Sequence, residues 1–235
     1  MKRFWTTVTL DPDRAVYLDG KPVRTPGRVP LALPTDALAE AVAAEWRAVT
    51  GEIDPRAMPL TGLANAAIDR VGADPALFAR GLAAYAESDL LCYRADAPDD
   101  LVARQLAAWD PLLDWARARY DVRIETATGI LHRAQPAATL ARLGEAIAAR
   151  DAFALAALSP IVTIGGSLIA ALALAEGAAT PEQVWDTMML DEDYQAERWG
   201  RDPLAAAGIE ARQRDFAAGV RFLFLGQPIS QGAGG

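Results

Sequence analysis

Three carboxylates in a row, Asp191, Glu192 and Asp193, lie inside TPEQVWDTMMLDEDYQAERWG, residues 180–200, where a helix should be presenting an apolar face. Successive helical residues point about 100° apart, so the three fan out and one of them must face the apolar side. A carboxylate there is costly without a partner. A salt bridge within the chain, or a groove edge open to water, would meet that cost. So would a cation on another molecule, which makes the carboxylate a recognition group. A third use is catalytic. A carboxylate with a raised pKa in an apolar groove can act as a base, in a small-molecule pocket lined by Glu192, Asp193, Tyr194 and nearby arginines.

The elements that position these groups are legible around them. Thr180 and Gln183 form a capping box, Pro181 suits the first helical position, and Gly200 is a natural stop. Trp185, Met188, Met189, Ala196 and Trp199 fall on one helical stripe, with Glu192 in its middle. The chain starts differently. RFWTTVTL and AVYL read as strands, DPDRA as a turn, and Asp19-Gly20 as a hairpin turn. KPVRTP and VPLAL follow as edge strands. Thr35 then caps a helix whose apolar stripe includes Leu38, Val42, Trp46 and Val49; core packing explains Trp46. GEIDPRAMP, with two prolines and a glycine, marks a boundary.

Beyond it the periodicity predicts helices near 61–71, 75–91, 99–119, 136–149, 152–158, 160–176, 181–199 and 203–225. Asp110-Pro111 kinks or restarts one of these, and Ser159-Pro160 splits another. Residues 122–131 are strand-like. The reading is an α+β protein, with a small N-terminal β-rich domain carrying one helix over residues 1–58 and a helical domain over 59–235. Trp109 and Trp115 are expected to anchor a helix–helix contact. Asn65 and Asp69 read as a solvated face or a local cap, and Asp89 with Arg94 as a structural ion pair.

Other chemistry is poorly supplied. His132 and Cys92 are the sole residues of their types and lie 40 positions apart, which gives no local signature of a nucleophile and base. One of each cannot complete a typical zinc site, and DEDYQ lacks the glycine of a calcium loop, so no metal is expected. Gly165-Gly166 has no strand before it and no Lys-Ser/Thr after it, and there is no P-loop. No cofactor is expected, and no catalytic residue. With a net charge of −8, nucleic acid and anionic membranes are poor partners. Ala152–Ala175 carries no charge but is interrupted by Ser, Pro and Gly, which favours a buried helix over stable membrane insertion. The opening MKRFWTTVTL lacks the core of a secretory signal, so a bacterial cytoplasmic protein that begins at once is expected.

LDEDYQAERWG also resembles the signature of the chaperones that escort the alpha subunit of the ATP synthase catalytic head, the ATP-twelve family. Three further blocks agree in order: RFWTTVTL through YLDGKPVRTP, LAEAVAAEWRAVTGEIDPRAMPLTGLANAAID, and ESDLLCYRA followed by AWDPLLDWA. The resemblance runs from Arg3 to about Leu225. It implies two domains, a β-containing one and a larger helical one. It also implies an ATP-independent activity: holding the unassembled alpha subunit until beta replaces the chaperone. Eukaryotic relatives would do this in the mitochondrial matrix. The functionally important glutamate of the family's acidic motif matches Glu192, with Asp191, Asp193, Tyr194 and Trp199 beside it as partner-binding candidates. A family tryptophan that matters for folding matches Trp46. The chain departs from mitochondrial relatives after the Trp-Gly pair, where GRDPLAAAGIEARQ replaces a more aromatic continuation.

Overall fold

The computed structural model describes residues 2–129, 131–200 and 203–228. It is an α+β fold in which a small antiparallel sheet precedes a run of helices. Strands β1 (Val8–Leu10), β2 (Val16–Leu18) and β3 (Lys21–Pro22) pair in order, with Val8 opposite Leu18 and Tyr17 opposite Pro22. The β2–β3 turn is the expected Asp19-Gly20, with φ of 46° and 78°. Two positive φ values suit the right-handed twist of a hairpin. The Asp19 carboxylate accepts from the Thr6 and Thr7 amides at 2.8–3.1 Å, which ties the strand entry to the turn.

Helix α1 (Asp36–Ala48) starts where Thr35 caps the Leu38 amide at 3.2 Å. Its Leu38, Ala39, Val42 and Ala43 are fully buried. Trp46 is half-buried, with its ring edge-to-face on Trp5 at 5.4 Å. Both indole N–H groups are sealed from water without an acceptor, so these rings contribute through apolar area alone.

Packing divides the chain into two units. The first holds residues up to Pro75, Asp151–Ala157 and the segment from Ala218 on; the second holds Ala76–Arg150 and Leu158–Ala217. The first unit extends to Pro75, past the proline-rich stretch GEIDPRAMP of residues 51–59. The reason lies in two carboxylates. Glu45 on α1 accepts from the Leu60 and Thr61 amides at 2.8 Å each, capping helix α2 (Pro59–Ala66) from outside it. Asp69, in the π turn Ala67–Val71 that continues α2, accepts from Thr25 Oγ1 at 2.6 Å and the Gly27 amide at 2.7 Å.

The second unit contains α3 (Pro75–Ala83), α4 (Asp99–Tyr120), α5 (Ala137–Ala148), most of α6 (Ala152–Gly165), α7 (Leu168–Ala175), α8 (Pro181–Trp199) and much of α9 (Pro203–Gly226). One departure from the sequence reading concerns proline. Helix α4 spans the expected 99–119 region with Pro111 inside it, but α6 also continues through Pro160, because burial of Leu158, Ile161 and Val162 outweighs one missing backbone bond. The break in the apolar run falls later, at Gly166 with φ 64°, after which Ser167 caps α7 through the Ala170 amide at 3.0 Å. No helix among the described residues is long and apolar enough to cross a membrane. Of the strand-like 122–131 stretch, Ala127–Thr128 forms β5, parallel to β4 (Tyr93–Arg94), and Ile130 lies outside the described residues.

Asp89 is the polar keystone of this unit. It is fully buried and accepts from the Leu91 amide at 3.1 Å and the Ile169 amide at 3.0 Å. It does not pair with Arg94, which instead bonds Asp110 at 2.6 Å. Burial pushes the Asp89 carboxyl up from 3.8 to about 6, against the pull of its amide donors.

Two predictions follow from these placements. A raised folded-state pKa favours the native protein while the group is protonated, and that advantage is lost as pH rises from 3.8 through about 6. In urea titrations of wild type and Asp89→Asn between pH 4 and 7, the stability difference should therefore move against the wild type by about 2 kcal/mol; a pH-independent difference would contradict this. Trp46→Phe should melt close to wild type, since the indole N–H is unpaired. Trp46→Arg should cost about 3 kcal/mol or more and lower the soluble yield, and an unchanged melting temperature would refute it.

Candidate functional site

The capping box at the start of α8 forms as expected, with Thr180 and Gln183 bonding each other's amides at 2.9 and 3.2 Å. The buried line along α8 is Val184, Thr187, Met188, Met189 and Tyr194. The predicted stripe is therefore wrong at its end: Ala196 is only half-buried and Trp199 is 78% exposed. Thr187, Asp191 and Tyr194 follow one another at helical spacing, and this line faces α4 through a row of polar contacts.

Trp109, fully buried on α4, donates its indole N–H to the Thr187 carbonyl at 2.9 Å. One turn earlier, the buried Gln105 donates to Asp191 at 2.8 Å and accepts from the Ala95 amide at 2.8 Å. At the end of the seam Tyr194 Oη donates to Asp100 at 2.7 Å, and Arg198 donates to the other Asp100 oxygen at 2.5 Å. The Tyr194 ring is flanked by the guanidinium groups of Arg104 at 5.3 Å and Arg198 at 4.8 Å. The Tyr194 hydroxyl and then Arg198 hold Asp100 below the usual carboxylate range. Burial, then the bond to Asp100, raises the Tyr194 phenol.

So Asp191, and not Glu192, is the carboxylate turned to the packed side. Glu192 points toward α9, where Arg212 grips both of its oxygens, one at 2.7 Å. That guanidinium lowers the Glu192 pKa, the opposite of what a general base in an apolar groove requires. The pair is also open to water, with 46% of the Glu192 side chain exposed. Asp193 is half-buried. Next to Arg212, Phe216 packs on Trp185 with ring centroids 5.3 Å apart, fixing α9 against α8. Met188 enters the space left by Gly165, where a Cβ would lie 2.2 Å from its sulfur. That contact, not phosphate binding, accounts for this glycine.

Other candidate chemistry lies apart from α8. Cys92 is buried, and desolvation pushes its thiol up to about 12. His132 bonds Tyr93 Oη at 2.8 Å and Glu87 at 3.1 Å. An open groove of about 850 Å³ is lined by Arg119, Tyr120, Arg142, Arg150 and Glu176, at the far end of α4. Two of its arginines already serve Glu176, Arg119 at 2.5 Å and Arg150 at 2.7 Å, and Arg142 donates to the Tyr120 carbonyl at 3.2 Å. Trp115 stacks edge-on to Tyr120 within α4, whereas Trp109 makes the interhelical contact. Among the described residues, no three metal-ligating side chains come together. The divergent Arg201 and Asp202 lie outside the described residues.

Sequence reasoning missed Gln105, Asp100 and Arg212. An amide or carboxylate on a distant helix carries no spacing signal linking it to α8. The seam predicts a sharp contrast in urea unfolding. Gln105→Ala, which strands Asp191 and the Ala95 amide, should cost roughly 2–3 kcal/mol. Trp199→Ala should stay within about 0.5 kcal/mol of wild type, and equal losses would dissolve the distinction between mounting and surface.

The family model described as ATP12 chaperone protein matches residues 2–117, ending before the acidic helix. Among solved structures, the Atp12 of Paracoccus denitrificans is 42% identical, with a TM-score of 0.90 over 96% of this chain and 98% of its own. A single-substitution variant of that protein superposes at a TM-score of 0.92, with the same identity and coverage. A protein of Agrobacterium tumefaciens, named as a candidate chaperone, is 40% identical, with a TM-score of 0.89 over 95% of this chain and 85% of its own.

Proposed function

Because the chain belongs to the ATP12 chaperone family, we propose that it is an assembly chaperone of the ATP synthase that holds the unassembled alpha subunit of the catalytic head. A subunit made for a ring exposes large apolar interfaces when alone, and these aggregate. A stoichiometric cap that buries such a face, but binds it less tightly than the beta subunit does, prevents aggregation without blocking assembly. The cycle needs no nucleotide hydrolysis by this chain and takes place in the cytoplasm.

The observation that carries the reading of the site is the exposed edge of α8, where Glu192 and Trp199 stand two turns apart on one face of a helix mounted rigidly by Asp191 and Tyr194. An aromatic anchor beside a charge, on an open surface, suits a protein partner. A small-molecule enzyme would need an enclosing pocket around Glu192 and a carboxylate of raised pKa, and Glu192 has neither burial nor such a shift. In this assignment Glu192 and Trp199 touch the client, with Asp193 beside them. Asp191 and Tyr194 position the helix.

Co-purification with newly made alpha subunit in the absence of beta tests the proposal. Wild type should keep alpha soluble and bound, and Glu192→Gln should weaken capture roughly tenfold while melting normally. Absence of capture by the wild type would end this reading.

A further inference from the structure

Glu192 is not waiting empty. Its two oxygens are held by the two terminal nitrogens of Arg212, a fork-on-fork contact that only a guanidinium makes. The contact is half-exposed, with 35% of the Arg212 side chain and 46% of that of Glu192 open to water. Toward the N-terminus of α9, one turn before Arg212 and on the same face, stands Gly208, and nothing lies within 4 Å of where its Cβ would be. On α8, Trp199 shares the Glu192 face two turns on and is 78% exposed. Glu192 and Arg212 oppose each other, and the α8 face that carries Glu192 continues to an uncovered indole. On the other side of the ion pair, the packed Trp185–Phe216 rings keep α9 in place whether or not the pair is made.

We infer that Arg212 is an internal stand-in for an arginine of the client, which on docking takes over the two-oxygen contact with Glu192 while a neighbouring apolar side chain of the client covers Trp199. This rests on Glu192 being a client contact. The exchange conserves ion pairs: one arginine leaves Glu192 as another arrives, and the released Arg212 moves into water. The internal pair therefore weakens client binding, since every capture must first break it. It also keeps Glu192 matched when no client is present and turns away clients that offer lysine, whose point charge replaces only part of a forked contact. A chaperone that must yield its client to a better partner gains from such a built-in competitor.

The test uses the full chain and purified alpha subunit without beta, with capture measured by titration and folding by thermal melting. Arg212→Gln should bind alpha about two- to fivefold tighter, the factor that loss of a half-exposed competing ion pair yields. Glu192→Gln should bind more weakly, and the double variant should match Glu192→Gln. The swap Glu192→Arg with Arg212→Glu keeps an internal pair and the fold, and should lose capture. Arg212→Gln binding as wild type or weaker would overturn the inference while leaving the chaperone reading intact. So would a swap that captures normally. Failure of the wild type to bind alpha would remove both.

Discussion

The contact between α4 and α8 is a helix interface built around polar atoms. Trp109 is fully buried, yet its indole N–H reaches the Thr187 carbonyl, and the Arg94 guanidinium lies 5.2 Å from the centre of its ring. Arg94 in turn bonds Asp110 and the Gln105 carbonyl, while the Gln105 side chain spans from Ala95 to Asp191. Polar groups at such depth are costly without partners; apart from the buried Arg94 Nε, these find them, and the partners across the seam are set by the register of one helix on the other. A one-residue slip of α8 would orphan the Trp109 donor and the Gln105 amide together. That register decides which face of the acidic helix is inward, and so which of its carboxylates is free to act outside.

The division of the acidic residues follows from it. Asp191 is spent on the seam, Asp100 is spent on Tyr194 and Arg198, and Glu197 is spent on Arg104. Each of these contacts removes a degree of freedom from α8, so the remaining exposed groups sit on a platform that is ordered before any partner arrives. Pre-ordering lowers the entropic cost of association, which matters for a surface that offers one aromatic ring and one ion pair.

Much of the fold could be read from residue order. The capping box of α8, the Thr35 cap of α1, the Asp19-Gly20 turn and the split between a β-containing start and a helical remainder depend on neighbours in sequence, and all four are present. The errors share one cause. Local rules make Pro160 a break, and tertiary burial overrides them. The Trp185–Trp199 stripe was drawn by apolarity alone, but α4 offers α8 hydrogen-bond partners, so the buried line follows Thr187, Asp191 and Tyr194. The alternative of an internal salt bridge at Glu192 was visible. Its partner Arg212 was not, since no periodicity joins residues 20 apart across a helix end.

The route of the chain has a temporal side. Thr35, which caps α1, also donates to the Leu225 carbonyl near the end of α9, and Phe153 stacks on Phe222 at 6.2 Å. The segment around residue 35 thus shares a core with segments around residues 153 and 225. On a ribosome, α1 can form and cap itself early, but its buried face stays uncovered until residue 225 has cleared the exit tunnel. A core that closes only once residue 225 has been made cannot fold segment by segment behind the translating ribosome. A member of an assembly-chaperone family thus leaves the buried face of its own first helix open while the chain advances the 190 positions that separate these two partners.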